Sequence, residues 1–519
     1  MELIQIQVLP EQLSDETLIH HLALEKSGLD AQSFPYFSIK KRSIDARKKP
    51  VRYNLTIELS AEENSDSTNY FEPKELTGET IHIIGAGPGG LFAALKSLEL
   101  GIKPIIFERG KDVRSRRRDL AVLNKEGIVN PESNYCFGEG GAGTYSDGKL
   151  YTRSKKRGDV LKSLQWLVHF GASKDILVDA HPHIGTNKLP EIITAIREEI
   201  ILCGGEVYFE HKLTDLHYEN NKIKEITIND SATHTCENLI LATGHSARDI
   251  FELLHKRKIK LVAKGFALGV RIEHNQELID YIQYHGKQSN ELLPPAAYSL
   301  VTQVNGRGVY SFCMCPGGIV APCATSQEEI VTNGWSPSKR NNPYSNSGIV
   351  VSLQPEDLPN YNESNPFNCL DYQKKVEYDC WEAAGKTQAA PAQRMIDFVE
   401  GRKSVDLPKS SYQPGVVSVD LNEVLPPLIA ESLKKAFVDF GKKMKGYYTN
   451  DAILHAPESR TSSPISIPRD KETFQHIEVS GLYPCAEGAG YAGGIISAAV
   501  DGMNCVTAIE KKLGLTNSI

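Results

Sequence analysis

The chain has 519 residues, more than one hydrophobic core organises, so two or three domains are expected. Its 40% hydrophobic and 24% charged residues are the mix of an ordinary globular protein, not of a disordered or fibrous one. A net charge of -7 at pH 7 argues against nucleic acid or an anionic membrane as the main partner, because both reward clustered positive charge.

The opening residues MELIQIQVLPEQLSDE are not basic and hold no apolar core of signal-peptide length. No stretch approaches the roughly 20 apolar residues of a membrane span. A cytoplasmic protein with no membrane partner is therefore expected. The 10 cysteines should then be reduced thiols, and none has the C-x-x-C spacing of a structural zinc site, so no metal is expected.

Leu3–Val8 alternates like a strand, and Ser14 is the expected cap of a helix running to Ser27. Strands are expected near Phe37–Ile39 and from Val51 to Leu59. Residues 1–75 thus read as a small α+β module of ferredoxin-like type. The basic run from Lys40 to Lys49 is expected in a loop, as a solvated surface or a docking surface. A polar linker follows.

Ile81–Ile84 reads as a short buried strand, and Gly85-Ala86-Gly87-Pro88-Gly89-Gly90 follows it directly. In such a loop Gly85 permits a tight turn, Gly87 lets backbone approach a pyrophosphate, and Gly90 lets helix and strand pack closely. The helix over Leu91–Leu98 would turn its positive N-terminal end to the phosphates. A second strand, Lys103–Phe107, ends at Glu108, 18 residues past Gly90, where a carboxylate can accept both ribose hydroxyls.

Three features favour FAD over NAD. Glu108-Arg109-Gly110 precedes a basic run in which Arg116 or Arg117 would face the pyrophosphate. A strand through Lys212-Leu213 is placed to meet the adenine, and Leu239–Leu241 leads into Ala242-Thr243-Gly244. Late in the chain, Glu487 precedes Gly494-Ile495-Ile496, an acid for the ribityl chain and a helix start aimed at the isoalloxazine. The glycine-rich segment Gly138–Gly148 should line the flavin, with Gly143, Thr144, Ser146 and Lys149 as its contacts.

Longer motifs are Lys41–Arg47, Phe137–Leu150, His181–Asn187, Ser311–Gly318 and Glu458–Pro464. On these the chain resembles a group of bacterial and plastid proteins known as uncharacterised FAD-dependent dehydrogenases. The resemblance runs from Lys40 almost to the C-terminus, and Ile465-Ser466-Ile467 stands where an arginine is expected. It implies non-covalently bound FAD and redox chemistry, and names no substrate.

His181 and His183 are candidates for moving a proton near neutral pH. Cys313 and Cys315 would lie on one side of a strand, as small buried groups or as a thiol pair beside the flavin. Arg460 is a candidate for holding an anionic substrate, or for a structural ion pair; Arg271 and Arg394 are further candidates.

The expected architecture is a Rossmann-type FAD-binding domain in two pieces, 76–255 and 455–519. Residues 256–454 would be inserted as an α+β substrate domain, in the manner of para-hydroxybenzoate hydroxylase. A separate NAD(P)H domain is not expected, so NAD(P)H would visit only as a transient reductant. The expected function is hydride transfer between flavin and a small organic substrate or NAD(P)H. A flavoprotein acting on RNA and a flavin monooxygenase are the alternatives. A redox partner and the oligomeric state stay open.

Overall fold

The computed structural model describes residues 3–63, 69–152, 158–286 and 292–515. In β1 (Leu3–Val8) the alternation turns Ile4, Ile6 and Val8 inward. Antiparallel pairing with β3 (Arg52–Ser60), and of β3 with β2 (Tyr36–Asp45), gives the sheet order β1-β3-β2. Helix α1 (Glu16–Ser27) starts one residue later than expected: Asp15, not Ser14, accepts the Leu18 N–H at 2.9 Å.

Only the end of the basic run, residues 46–49, lies in the connection between β2 and β3. Lys40 to Asp45 belong to β2, Lys40 pairs with Glu58, and Arg42 reaches Asp175 and Asp179. The unit stops at three strands and one helix. The next strand joins a different sheet, so the second half of a ferredoxin-like unit does not follow.

That second sheet is parallel throughout, in the order β22-β10-β4-β5-β6. Its strands are β4 (Thr80–Ile84), β5 (Lys103–Glu108), β6 (Glu206–Phe209), β10 (Leu239–Leu241) and β22 (Leu482–Pro484). Ile81, Ile83, Ile106, Ile240 and Tyr483 are buried, as strands covered on both faces require. Helix α2 (Pro88–Glu99) crosses the C-terminal helix Ile495–Leu513 closely: a Cβ on Gly502 would lie 2.0 Å from the Gly89 carbonyl. An antiparallel meander, β7 (Leu213–Glu219), β8 (Lys222–Ile228) and β9 (Ala232–Thr235), links β6 to β10.

A seven-stranded sheet has the order β13-β14-β17-β12-β20-β18-β19. Its central strands are β12 (Phe266–Asn275), β17 (Tyr344–Leu353) and β20 (Ile453–Glu458). On one side lie β14 (Arg307–Cys315) and β13 (Val301–Val304), on the other β18 (Ala390–Arg394) and β19 (Val416–Ser418). Because β20 pairs with β12 and β18, the chain leaves this sheet only after Glu458, a few residues past the expected division at 454/455. Two short pairs complete the strands: β11 (Val262–Ala263) with β21 (Ile465–Ser466), and β15 (Ile319–Pro322) with β16 (Thr332–Trp335). Leu55 and Ile57 of the N-terminal unit share one apolar cluster with Val270 and Ile349, so this unit packs onto the large sheet. Among the described residues no helix is long and apolar enough to cross a membrane.

Candidate functional site

The parallel sheet brings three distant stretches of chain to one end. Gly85, at φ +102, turns the chain out of β4, and a Cβ there would meet the Ala242 carbonyl at 2.5 Å. A Cβ on Gly89 would lie 3.1 Å from the Ala486 side chain, and one on Gly488 would meet the backbone of Gly244. The Gly138–Gly148 segment closes over the same point: Gly140 N–H donates to the Ala86 carbonyl at 2.8 Å, and Gly143 stands between Pro88 and Ile495.

Helix α2 begins after Gly87 and the C-terminal helix after Gly494, neither with a side-chain cap. Two helix N-termini therefore offer unpaired N–H groups and positive dipole ends at one cleft. Near Gly87 a Cβ would find only the Gly141 Cα, at 3.9 Å. Gly494, at φ +151, has only the Ser497 hydroxyl nearby. A cradle lined by backbone, open where side chains would fill it, fits a dinucleotide such as FAD.

Glu108 is buried. Its carboxylate accepts Ala86 N–H at 2.8 Å and the N–H groups of Gly110 and Gly138 at 2.9 Å each. Oε1 already accepts two of these N–H groups and Oε2 one, so Oε2 keeps lone-pair capacity for a ribose hydroxyl. Arg109 is committed to Glu132 and Asp249 and lies over the Phe137 ring. Arg116 does not reach the cradle surface. It is fully buried and donates to the carbonyls of Asn134, Tyr135 and Glu139, so it clamps the glycine-rich segment from inside. Arg117 is exposed on α3 (Val113–Glu126). Leu213 is buried at the start of β7. A cleft of about 490 Å³ opens nearby, beside Arg109, Phe137, Lys212, Ser246 and Asp249.

Thr144 is buried and donates to the Glu139 carbonyl, and Ser146 donates to the Gly143 carbonyl. Both hydroxyls shape the loop. Lys149 reaches further: its Nζ is 3.1 Å from Asp147 Oδ2, 3.9 Å from Cys313 Sγ and 3.7 Å from Cys315 Sγ, and it donates to the Met314 carbonyl. Burial opposes its charge, but the facing thiols and Asp147 win and raise its pKa. Asp147 is a hub, bonded by Ser336 and approached by His183 Nε2 at 3.7 Å and Arg340 at 3.8 Å.

His183 is half-buried. Burial, followed by the Arg340 charge, pushes it down to about 4, so it stays neutral near pH 7. His181 lies exposed at the edge, against the Tyr151 ring. Glu487 is pushed up to about 7 by burial against the pull of Lys264, and His245 stands 4.0 Å away.

Arg460 is not free to meet a substrate. It donates to Glu329 at 2.6 Å and to Glu377 at 3.2 Å, and Arg248 contacts the same two acids. Arg271, fully buried, pairs with Glu458 at 2.9 Å and donates to the Cys313 carbonyl at 2.8 Å. Arg394 pairs with Asp406 at the surface. Sequence reading missed Asp147, inside the Phe137–Leu150 motif, and His245, directly after Gly244; Arg340 and Lys264 lie far from every motif and gave no signal. It also missed the group Cys485, Asp501 and Cys505, where Arg469 grips both oxygens of Asp501.

Acid should unfold this protein in two stages. Burial lowers His82, His183, His274 and His455 to about 4 and His245 to about 3. The unfolded chain binds those protons first, near pH ~6.5, so stability falls as pH drops from about 6.5 to about 4. Thermal melts across this window should lose several degrees, since the five histidines outweigh Glu487 and Glu458, whose pKa values of about 7 make the folded state take up protons and offset part of the loss; a flat melting temperature there would contradict the buried-histidine assignments.

Comparison with known proteins agrees with this geometry. Residues 265–461 match the model described as FAD-dependent protein, C-terminal domain-like, and residues 1–60 match a domain of unknown function. Solved structures are loosely similar. Glycine oxidase from Bacillus cereus is 14% identical, with a TM-score of 0.31 over 84% of this chain and 95% of its own. A geranylgeranyl bacteriochlorophyll reductase-like protein from Thermoplasma acidophilum is 13% identical, with a TM-score of 0.35 over 84% and 80%. Scores this low carry no inference. An uncharacterized protein of Clostridium beijerinckii is 39% identical over 523 residues, covering 96% of this chain and 97% of that protein. Its large sheet lies within the residues that match the FAD-dependent protein, C-terminal domain-like model, and the chain belongs to the family of the Clostridium beijerinckii protein.

Proposed function

We propose that this chain is an FAD-dependent oxidoreductase of the dehydrogenase type, holding FAD non-covalently and exchanging a hydride with a small substrate. The observation that carries the reading is the convergence of two uncapped helix N-termini and two glycine turns on one backbone-lined cleft. Gly85 to Gly90 would receive the pyrophosphate, Glu108 the ribose hydroxyls, and the backbone at Leu213 the adenine. Ala242 to Gly244 would flank the nucleotide, and Glu487 would hold the ribityl chain. Ile495 and Ile496 would present N–H groups to the pyrimidine edge.

When bound, FAD supplies a two-electron acceptor or donor. The chain's own groups supply position and charge. Lys149 keeps its proton and offers positive charge beside the cleft. Glu487 has a pKa near 7 and so can hold or release a proton at neutral pH. The seven-stranded sheet, with Arg271 and Glu458 at its centre, would cover the flavin and form the substrate side. Since the described residues form one five-stranded parallel sheet, already used for FAD in this reading, NAD(P)H would reach the flavin transiently.

The test is anaerobic mixing of the yellow protein with NADH and NADPH in a stopped-flow instrument. Rapid bleaching by one of them supports the dehydrogenase reading. A protein that stays colourless when supplied with FAD sinks it. Oxygen uptake coupled to product formation would turn the assignment to a monooxygenase.

A further inference from the structure

We propose that Cys313 and Cys315 are a redox dithiol that exchanges two electrons with the bound flavin, and that the substrate class is a disulfide. The inference rests on the flavin reading above. Small buried cysteines normally sit among apolar groups. These two do not: both sulfurs face the one ammonium of Lys149, and Arg271 Nη2 lies 3.7 Å from Cys315 Sγ. Cys315 Sγ also donates to the Cys313 carbonyl at 3.3 Å.

The backbone supports the pairing. Cys313 takes φ +47, unusual for a residue with a side chain, and β14 loses register with β17 between Phe312 and Cys315. The strand is bent where the sulfurs approach. The two thiols are also unequal: Cys313 is half-buried and Cys315 fully buried. Cys315's hydrogen bond, then Lys149 and Arg271, draw Cys313 toward the thiolate, while burial pushes Cys315 up. That inequality suits an attacking thiolate and a resolving thiol. Cys485 and Cys505 are also adjacent, but both are buried behind Arg469 and no substrate reaches them.

The Cys313 thiolate attacks one sulfur of R–S–S–R and expels R–S⁻, which takes a proton from water. Cys315 attacks Cys313 Sγ, its proton passing to the second leaving group, which departs as R–SH as the Cys313–Cys315 bond forms. Two electrons from reduced flavin break that bond and return thiolate and thiol. A nicotinamide hydride renews the flavin, so one disulfide and one NAD(P)H yield two thiols.

Full-length FAD-loaded protein should be oxidised with dithiobis(nitrobenzoate), quenched in acid, alkylated and mapped by mass. The expected result is a Cys313–Cys315 link that dithiothreitol reverses. Cys315→Ser should trap one thionitrobenzoate on Cys313, and Cys313→Ser should trap none on the buried Cys315. Anaerobic dithionite titration of the oxidised, yellow wild type should consume twice the electrons per flavin that Cys313→Ser consumes. Yellow wild-type protein with equal consumption and no link overturns the proposal. Colourless protein that still forms the link overturns the flavin reading and the electron exchange with it, leaving only the thiol pair.

Discussion

Gly87→Val should give a folded protein without flavin. Gly87 has φ -74 and ψ -178, extended backbone open to any residue. A Cβ there meets only the Gly141 Cα at 3.9 Å, so the chain itself tolerates the substitution. The branched γ carbons would instead occupy the gap between the two glycine turns, at the start of α2, where phosphate must come close. Losing that approach removes the helix-end N–H contacts together, a loss on the order of 3 kcal/mol or about a hundredfold in affinity. The visible absorbance per protein should vanish while circular dichroism and melting stay near wild type. Gly90→Val is the contrast: its Cβ would lie 1.9 Å from the Gly85 carbonyl, so it should fail to fold. Normal flavin content in Gly87→Val would remove the loop from the cofactor site.

What the sequence disclosed was local. A strand, a glycine turn, a helix and Glu108 lie within thirty or so residues, and their meaning comes from spacing alone. The late motif was legible because Glu487 and Gly494 follow a strand in the same way. What stayed hidden were contacts between residues far apart. Lys149 and the sulfur of Cys315 are 166 positions apart, and Arg271 and Glu458 are 187 apart. No periodicity reports such pairs. The basic run was misjudged for a different reason. Its charges mask the alternation of a strand that gains a partner on one edge, with Lys40 and Arg42 neutralised by Glu58, Asp175 and Asp179. Arg116 was misplaced because a charged residue is rarely expected at zero exposure, and only the surrounding carbonyls make that tolerable.

Arg460→Met should cost about 3–5 kcal/mol of stability, the range for breaking a buried ion pair from one side. Methionine keeps much of the volume, so the effect isolates the charge. Arg248 alone would then face Glu329 and Glu377, both buried. The lost guanidinium also ties Ser246 at 3.2 Å to Thr325 at 2.9 Å, joining the turn after β10 to the flank of the large sheet. A lower urea midpoint and a lower melting temperature are the readouts. Adding Glu377→Gln should return part of the loss, because it removes the charge left unpaired. The acid limb should move as well. In the wild type burial would raise Glu329, but Arg460 and Arg248 overcome it and hold the carboxyl down at about 2. Its contribution is present above pH ~4.5 and disappears as pH falls through about 2. Without Arg460 that loss should begin at a higher pH. If Arg460→Met melts like the wild type at neutral pH, the arginine is not a structural clamp, and its role in holding an anionic substrate returns to the front.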